Sequence, residues 1–595
     1  MVNKDMSAVV GFTIHRNLSS ERIHSQIITQ NQALSYFGWL DRKSLTVGET
    51  CLDLWGRKEL MDRVHTLPDG AMVVLIGSPH NEVSWGAVEA DLLKAERAED
   101  FQFPWEGRAI LLYISADGKN WTIWNDWLGS ITVFHAEVER GRIVSTLEPV
   151  TVAAAGYTPD DFFMPGLVTL MINGHFISDW TLYKGMKTVP ADSVSEWDEN
   201  GFRAKPLWTV QPSQSRWEAS WDDLIDEMHE LTHSAIAEIL KTQPTWILPL
   251  SSGLDSRLIA AVAADVGANV HTYAWGAPNT TDVVYSRQIA KTLGFPWKRI
   301  DLLNDFMPEY TQRWADLFGS SMHFHGMYQM SFLDIIKTEP QGQVLSGFLG
   351  DTLSGDGIGD TEPVHLHTES YQLCVDWYCN WDADQIRAIF TLPIDDSLRV
   401  NALEYKRMIG NLSGAFFQKI FALELWNRQR FFTSFQSTLS DYWRGAANPF
   451  INRAYARFCM SLPRAALDNR RLLVDVYRRY YGRLAVIPGT YASDPLIPTG
   501  RYLFMKRIAN QLPRSLKRGP FAGFENVQLR MDMDSVRATG KRALWPLFDV
   551  SDQLAEWLDV RLLEQTYQEI IADRENYKSL RKLQSVQSLA YRLLQ

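Results

Sequence analysis

The sequence is poor in cysteine and in long apolar runs, and each shortage closes off a class of protein. Four cysteines in 595 residues (Cys51, Cys374, Cys379, Cys459) are too few for the disulfide framework of a small secreted scaffold. Cys374 and Cys379 have no second Cys or His pair beside them to complete a tetrahedral ligand set, so the four read as structural thiols. No apolar run approaches the roughly 20 residues that cross a bilayer. Met1–Asp5 is polar and no cleavage pattern follows it, which gives the expectation of a cytoplasmic, reducing setting. A surplus of positive charge is missing too. The net charge of −11 argues against the basic domain or stripe of a nucleic-acid binder, while leaving room for one basic pocket that holds a phosphate. There is no internal repeat and no low-complexity tract.

What is present suits a globular enzyme-sized chain. Its 22 Trp and 28 Phe supply apolar area for cores, and its length exceeds what one core supports, so two or more domains are expected. Up to residue 208 the pattern is of short strands broken by turns. Ala71–Gly77, Arg108–Ser115 and Trp121–Trp124 read as strands, with Ala116-Asp117-Gly118 as a turn between the last two. Residues 209–219 carry Pro and polar residues without periodicity and read as a linker. Ser220 and Asp223 resemble a capping box. The stripe Trp221, Leu224, Ile225, Met228, Leu231, Ala235, Ile236, Ile239 and Leu240 then marks a helix.

From Trp246 the alternation changes. Trp246–Leu250, Val270–Trp275 and Trp297–Leu302 read as strands. Helices are expected around Ser256–Val266 and from a cap at Asp282 to Gly294. Strand, helix, strand, helix, strand at this spacing predicts a doubly wound α/β unit with a parallel sheet. Beyond about residue 360 the pattern is mostly helical. The fold class expected is therefore α/β: a layered β domain over 1–208, a linker, and a parallel-sheet domain with a helical C-terminal part over 220–595.

The sharpest motif is Leu250-Ser251-Ser252-Gly253-Leu254-Asp255-Ser256. It joins a buried strand to a helix N-terminus, where unpaired N–H groups and the helix dipole favour anions. Small residues let backbone wrap a pyrophosphate. Asp255 beside an anion makes sense as a Mg²⁺ ligand; the bland reading is a Ser/Gly turn with Asp255 as an N-cap.

Here the sequence resembles the asparagine synthetase family, whose pyrophosphate loop reads SGGLDS after an apolar strand. Two further elements follow in order. His271-Thr272-Tyr273-Ala274-Trp275-Gly276 is similar to the family's second strand, and Leu345-Ser346-Gly347-Phe348-Leu349-Gly350-Asp351 to its LSGEGxD segment. The resemblance implies an ATP-pyrophosphatase domain. In it Leu250 and Trp275 would border adenine, Ser251, Ser252, Gly253, Ser256, Ser346 and Gly347 would line the nucleotide, and Asp255 and Asp351 would hold Mg²⁺. The two aspartates would then converge at the carboxyl ends of neighbouring strands. For the family's transition-state lysine, Lys506 and Lys517 are the candidates. They lie in basic stretches (Lys506-Arg507 and Arg514 to Arg518) that otherwise read as a solvated face.

The likeness reaches the N-terminal part through Trp124-Asn125-Asp126-Trp127-Leu128-Gly129-Ser130, Ser145-Thr146-Leu147-Glu148 and Thr181-Leu182-Tyr183-Lys184-Gly185-Met186. These scaffold segments imply an Ntn-hydrolase-like, glutamine amidotransferase-like domain. The family's nucleophilic cysteine is not there: Ser7, after Met6, occupies its place, and a domain without glutaminase activity is the expectation. Two more departures stand out. Ser252 replaces a loop glycine, which strains the turn if φ is positive there, and Phe348 replaces an acidic residue. Arg428 and Arg430 are candidate phosphate or carboxylate clamps, otherwise surface ion pairs. His323 and His325 are candidate acceptor-side bases, otherwise packed in a core.

The resemblance implies an AMP-forming, ATP-dependent carbon–nitrogen ligase that uses a carboxylate and an amine or ammonia. A partner protein would supply peptide or ammonia. Alternatives are ring closure, as in the lasso-peptide macrocyclases and β-lactam synthetases, amidation of uronic acids in surface-polysaccharide synthesis, and a non-catalytic nucleotide-binding scaffold.

Overall fold

A computed structural model describes residues 8–595 except 58, 140, 304, 340–341, 357–380, 382, 490–493, 514–526 and 574–575. Ser7, Lys517, Arg514, Cys374 and Cys379 lie outside the described residues.

The N-terminal part is built on twelve strands: β1 (Ala8–Arg16), β2 (Asp41–Val47), β3 (Thr50–Arg57), β4 (Val64–Thr66), β5 (Met72–Pro79), β6 (Gly107–Ile114), β7 (Trp121–Asn125), β8 (Phe134–Val138), β9 (Gly141–Ser145), β10 (Met186–Thr188), β11 (Ser193–Asp198) and β12 (Gly201–Pro206). The main path runs β10-β8-β9-β1-β5-β6-β7-β11-β12. Strand β1 sits at the divide, pairing with β9 through Thr13–Arg16 and with β5 only at Val9. Period-2 alternation sorts the side chains into layers. Ile110, Leu112 and Ile114 of β6 point inward with Phe12, Ile14 and Val144, whereas Ala109 and Leu111 point outward. A bulge between Val9 and Gly11 lets both Val9 and Phe12 face the inner layer despite their odd spacing. Helices cover the outside: α1 (Ser20–Leu34), α3 (Glu148–Ala155) and α4 (Met164–Asn173) on one side and α2 (Trp85–Lys94) on another.

The stretch read as a linker is pinned down. Val210 is fully buried and its N–H donates to Asp192, while Ser213 N–H donates to the carbonyl of Met460. Ser220 then caps α5 (Trp221–Leu240) by accepting from Asp223 N–H at 3.1 Å.

The second sheet has five parallel strands, β13 (Trp246–Pro249), β14 (Val270–Trp275), β15 (Trp297–Ile300), β16 (Gln343–Leu345) and β17 (Ala446–Ala447), in the order β15-β14-β13-β16-β17. Helices α6 (Leu254–Asp265), α7 (Thr281–Leu293), α8 (Phe306–Phe318), α9 (Tyr328–Ile336) and α10 (Gly350–Leu353) connect its strands. Strand order reverses between β13 and β16, and that reversal opens the crevice where doubly wound sheets take ligands. Among the described residues, no helix is long and apolar enough to cross a membrane.

Candidate functional site

Two loops leave the carboxyl ends of β13 and β16, the adjacent strands flanking the reversal. The first, residues 250–254, is tied into shape by its own side chains. Ser251 N–H donates to Ser256 Oγ at 3.1 Å, the two hydroxyls lie 3.1 Å apart, and Gly253 N–H donates to Ser251 Oγ at 3.1 Å. Ser252 is fully buried; its N–H (2.8 Å) and Oγ (2.7 Å) both donate to Asp282 Oδ1. The strain anticipated at Ser252 is absent, because it is not among the residues with positive φ. Asp282 also differs from its expected part. It sits in the first turn of α7 behind Thr280 and clasps the first loop rather than capping its own helix.

Gly253 opens α6 with φ −65° and no capping oxygen, so the first N–H groups of that helix have no side-chain cap and point to the crevice mouth. Arg257, fully buried, fixes the loop from below. Its guanidinium donates to the carbonyls of Ser252 (2.8 Å), Leu484, Ile487 and Pro488. A Cβ on Gly489 would lie 2.6 Å from Ser252 O, so only glycine lets that segment approach.

The second loop packs directly on the first. A Cβ on Gly350 would lie 2.7 Å from Asp255 Cβ and 2.8 Å from its Cγ. Asp351, next in sequence, is exposed, its Oδ1 accepting from Thr352 N–H at 2.7 Å. Ser346 Oγ accepts from Phe348 N–H at 3.2 Å, and Ser346 N–H donates to Ala447 O. Phe348 is buried, and Leu349 holds a left-handed backbone (φ 72°).

Asp255 is ion-paired with Arg470, whose Nε also donates to Ser354 Oγ at 2.7 Å. Arg470 is buried and left-handed (φ 54°), as is Asn469 before it. Burial pushes the Asp255 carboxyl up to about 6; Arg470 opposes that and Asp351 adds to it. Burial draws Arg470 down, but the carboxylates of Asp255, Asp351 and Asp356 outweigh it and hold the guanidinium above its usual value. Tyr477 donates its hydroxyl to Leu254 O at 2.5 Å.

The crevice therefore combines uncapped helix N–H groups, a largely buried carboxylate, an exposed one and a buried guanidinium. Among the described residues no three His, Cys, Asp or Glu side chains group as metal ligands. Two carboxylates are a donor set that fits Mg²⁺, which fills its octahedron with phosphate oxygens and water.

Of the other sequence candidates, Leu250 begins the first loop and Trp275 ends the neighbouring strand, while the rest fall outside the crevice. Leu250 is buried, donating to Tyr273 O at 2.7 Å. Trp275, at the end of β14, packs on Phe332 and Tyr328 at 4.6 and 5.7 Å between centroids. Lys506 is engaged by Asp494 twelve residues earlier. His323 and His325 are buried, and desolvation holds both well below the usual histidine range. His325 stacks on Phe432 at 4.0 Å, and His323 Nε2 lies 3.2 Å from Ser585 Oγ. Closed off by packing and made poor proton acceptors by desolvation, they do not suit the base role. Arg428 pairs with Glu424 at 3.0 Å, and Arg430 is buried against the carbonyls of Gly129 and Val189. These two are structural ties rather than clamps at this crevice.

Arg257 and Arg470 were not singled out from sequence, and Asp282 was read only as the cap of its own helix. Each acts on the marked Ser251–Ser256 motif, through a contact that no local spacing encodes.

Residues 227–443 match the family model for asparagine synthase, a family of ATP-dependent amide-forming ligases. Among solved structures the chain is similar to the allosteric regulatory enzyme of purine biosynthesis, with TM-score 0.25 and 7% identity over 49% of this chain and 80% of that one. It is similar also to glutamine phosphoribosylpyrophosphate amidotransferase from B. subtilis complexed with ADP and GMP, with TM-score 0.24, 7% identity and the same coverages. Likeness at this level carries no weight for activity. None of the curated proteins matches the chain.

Proposed function

We propose that this chain, whose residues 227–443 form an asparagine synthase domain, activates a substrate carboxylate as its acyl-adenylate and passes the acyl group to an amine. The observation that carries this reading is the contact of the two loops at the strand-order reversal, with Gly350 against Asp255. A triphosphate laid across the reversal meets the N–H groups of α6. The substrate carboxylate oxygen attacks the α-phosphorus and pyrophosphate leaves. The α6 donors, fixed by Ser251, Asp282 and Arg257, are aimed before charge develops, which is where preorganised donors help most. Asp255 and Asp351 would hold Mg²⁺, whose charge would offset that of the departing pyrophosphate. Arg470 keeps the Asp255 carboxyl ionisable in a buried position. The amine then attacks the acyl carbon and AMP departs.

The amine need not be made by the N-terminal domain. Phe37 packs on Tyr442 (4.9 Å) and Trp443 (5.0 Å), and Trp55 Nε1 donates to the Tyr442 hydroxyl at 2.9 Å. Rings thus fill the seam between the start of the first sheet and the β17 edge of the second. This supports an amine that arrives from outside.

ATP–pyrophosphate exchange against aspartate, uronic acids and precursor peptides tests the reading. Exchange should appear with one carboxylate class and vanish in Asp255→Asn while the circular dichroism spectrum is unchanged. Full exchange in that variant would sink the assignment.

A further inference from the structure

A second concavity shares no residue with the Asp255 crevice. It is a cleft of about 610 Å³ between the N-terminal β layers and the helices Asp395–Gly410 and Phe416–Leu423. That volume suits a small ligand or a few residues of peptide. Its apolar lining comes from Met408, Leu412 and Leu423, and from Trp208 and Trp426, whose rings meet edge to face at 6.2 Å. Trp208 is 40% exposed, a large apolar surface left open to solvent at the cleft.

The remaining lining includes Ala204 and Pro206 of β12. This strand ends the path of the N-terminal sheet, and its outer side is unpaired among the described residues. Alternation puts Arg203 and Lys205 on the other face, where Glu196, Asp198 and Glu99 hold them. The charges that commonly guard an edge strand are thus turned away from the cleft.

The frame around the cleft is tied by hydrogen bonds and locally strained. Asn427 Oδ1 accepts from Ser178 N–H at 2.7 Å, and Arg430 Nε donates to Gly129 O at 3.1 Å. Of the eight non-glycine residues with left-handed backbone among the described residues, three line this cleft: Ser178 (φ 59°), Asp192 (φ 48°) and Trp208 (φ 54°). Such strained backbone gathers at ligand clamps. The helical segment Glu424–Thr433 offers Trp426, Asn427 and Arg430 to the cleft, while Phe432 on its other face stacks on His325. A pocket beside an open sheet edge is the arrangement that reads an extended main chain and one or two of its side chains.

We propose that this cleft binds an extended peptide segment, which runs beside β12 and seats an aliphatic or aromatic side chain among Trp208, Trp426 and Met408. The site stands apart from the adenylation reading, and its test does not require turnover.

The probes are fluorescein-labelled, capped octapeptides of alternating serine and threonine with one central leucine, tryptophan or lysine, titrated against the full chain by anisotropy. The leucine and tryptophan peptides should bind saturably with a Kd on the order of 10–100 μM. The lysine peptide should bind at least about tenfold more weakly, because its ammonium would be desolvated in the apolar seat of Trp208, Trp426 and Met408. Trp208→Ala and Met408→Arg should each weaken binding about tenfold or more with unchanged circular dichroism, and Asp255→Asn should bind like the parent chain. Amide hydrogen exchange over residues 201–208 should slow on saturation. Three results would overturn the proposal: no saturable binding up to about 1 mM, binding indifferent to both cleft variants, or N-acetyl-leucinamide competing as well as the octapeptide. The last would mark a small-molecule pocket instead.

Discussion

At the scale of single residues, the balance on Asp255 sets the working pH of the crevice. Its carboxyl titrates at about 6 because burial outweighs the attraction of Arg470. Only the ionised form suits a cation and a nucleotide, so kcat/KM for ATP in pyrophosphate exchange should fall as pH drops through about 6. Arg470→Gln removes the opposing charge and should move that acid limb to higher pH. A limb that stays in place would assign it to another group. Stability runs the other way. A carboxyl raised above its unfolded value of about 3.9 favours the folded state when protonated, and that contribution is lost as pH rises through about 6. The Leu250–Ser256 motif and the Asp351 segment were legible in the sequence because each is a local run of small and acidic residues after an apolar strand. Arg470 was not. It reaches Asp255 across more than two hundred residues from an Asn469-Arg470 pair in left-handed backbone, and no spacing rule encodes that.

At the scale of elements, β13, α6, β14, α7 and β15 were legible nearly to their ends, since period and turn residues are local signals. What holds the first loop was not. Asp282 satisfies both donors of Ser252 from the next helix but one in the unit, and Arg257 fastens Ser252 O to residues 484–488. Asp282→Ala leaves a buried hydroxyl and an N–H unpaired, a cost of about 1–3 kcal/mol. The expected outcome is a raised KM for ATP with a lowered melting temperature, read by exchange kinetics and calorimetry. Ser252→Gly, by contrast, should retain exchange, because the backbone N–H that donates to Asp282 survives the loss of the hydroxyl. An unaltered KM in Asp282→Ala would detach this clasp from nucleotide binding.

At the scale of the whole molecule, the β layers and the parallel-sheet part are joined by buried polar bonds, so the stretch 209–219 does not act as a free tether. Arg108 meets Asp441 at 3.1 Å with both side chains buried, and Asp441 also accepts from Ser78 Oγ and Ala446 N–H. Trp127 Nε1 donates to Ile451 O at 2.7 Å, Arg453 pairs with Glu106 at 2.8 Å, and Arg592 pairs with Glu148. The segment Trp124–Ser130, legible as scaffold, does serve this seam: Asp126 orders its turn and Trp127 and Gly129 dock on the other part. Arg108→Met strands Asp441 in the interface and should destabilise the chain by about 3–5 kcal/mol. Adding Asp441→Leu should recover part of that loss, since Ser78 Oγ and Ala446 N–H lose their acceptor; losses that simply add across Arg108→Met, Asp441→Leu and the double variant would show that the pair is not coupled.

The most direct measurement follows the oxygen atoms. A carboxylate substrate that supports exchange, labelled with ¹⁸O in its carboxyl group, is turned over with ATP and an amine, and the nucleotide product is read by mass spectrometry. Adenylation is expected to give AMP carrying one ¹⁸O, with unlabelled pyrophosphate and no product from Asp255→Asn. Label in inorganic phosphate with ADP as the nucleotide would contradict it, placing the attack at the γ-phosphorus instead.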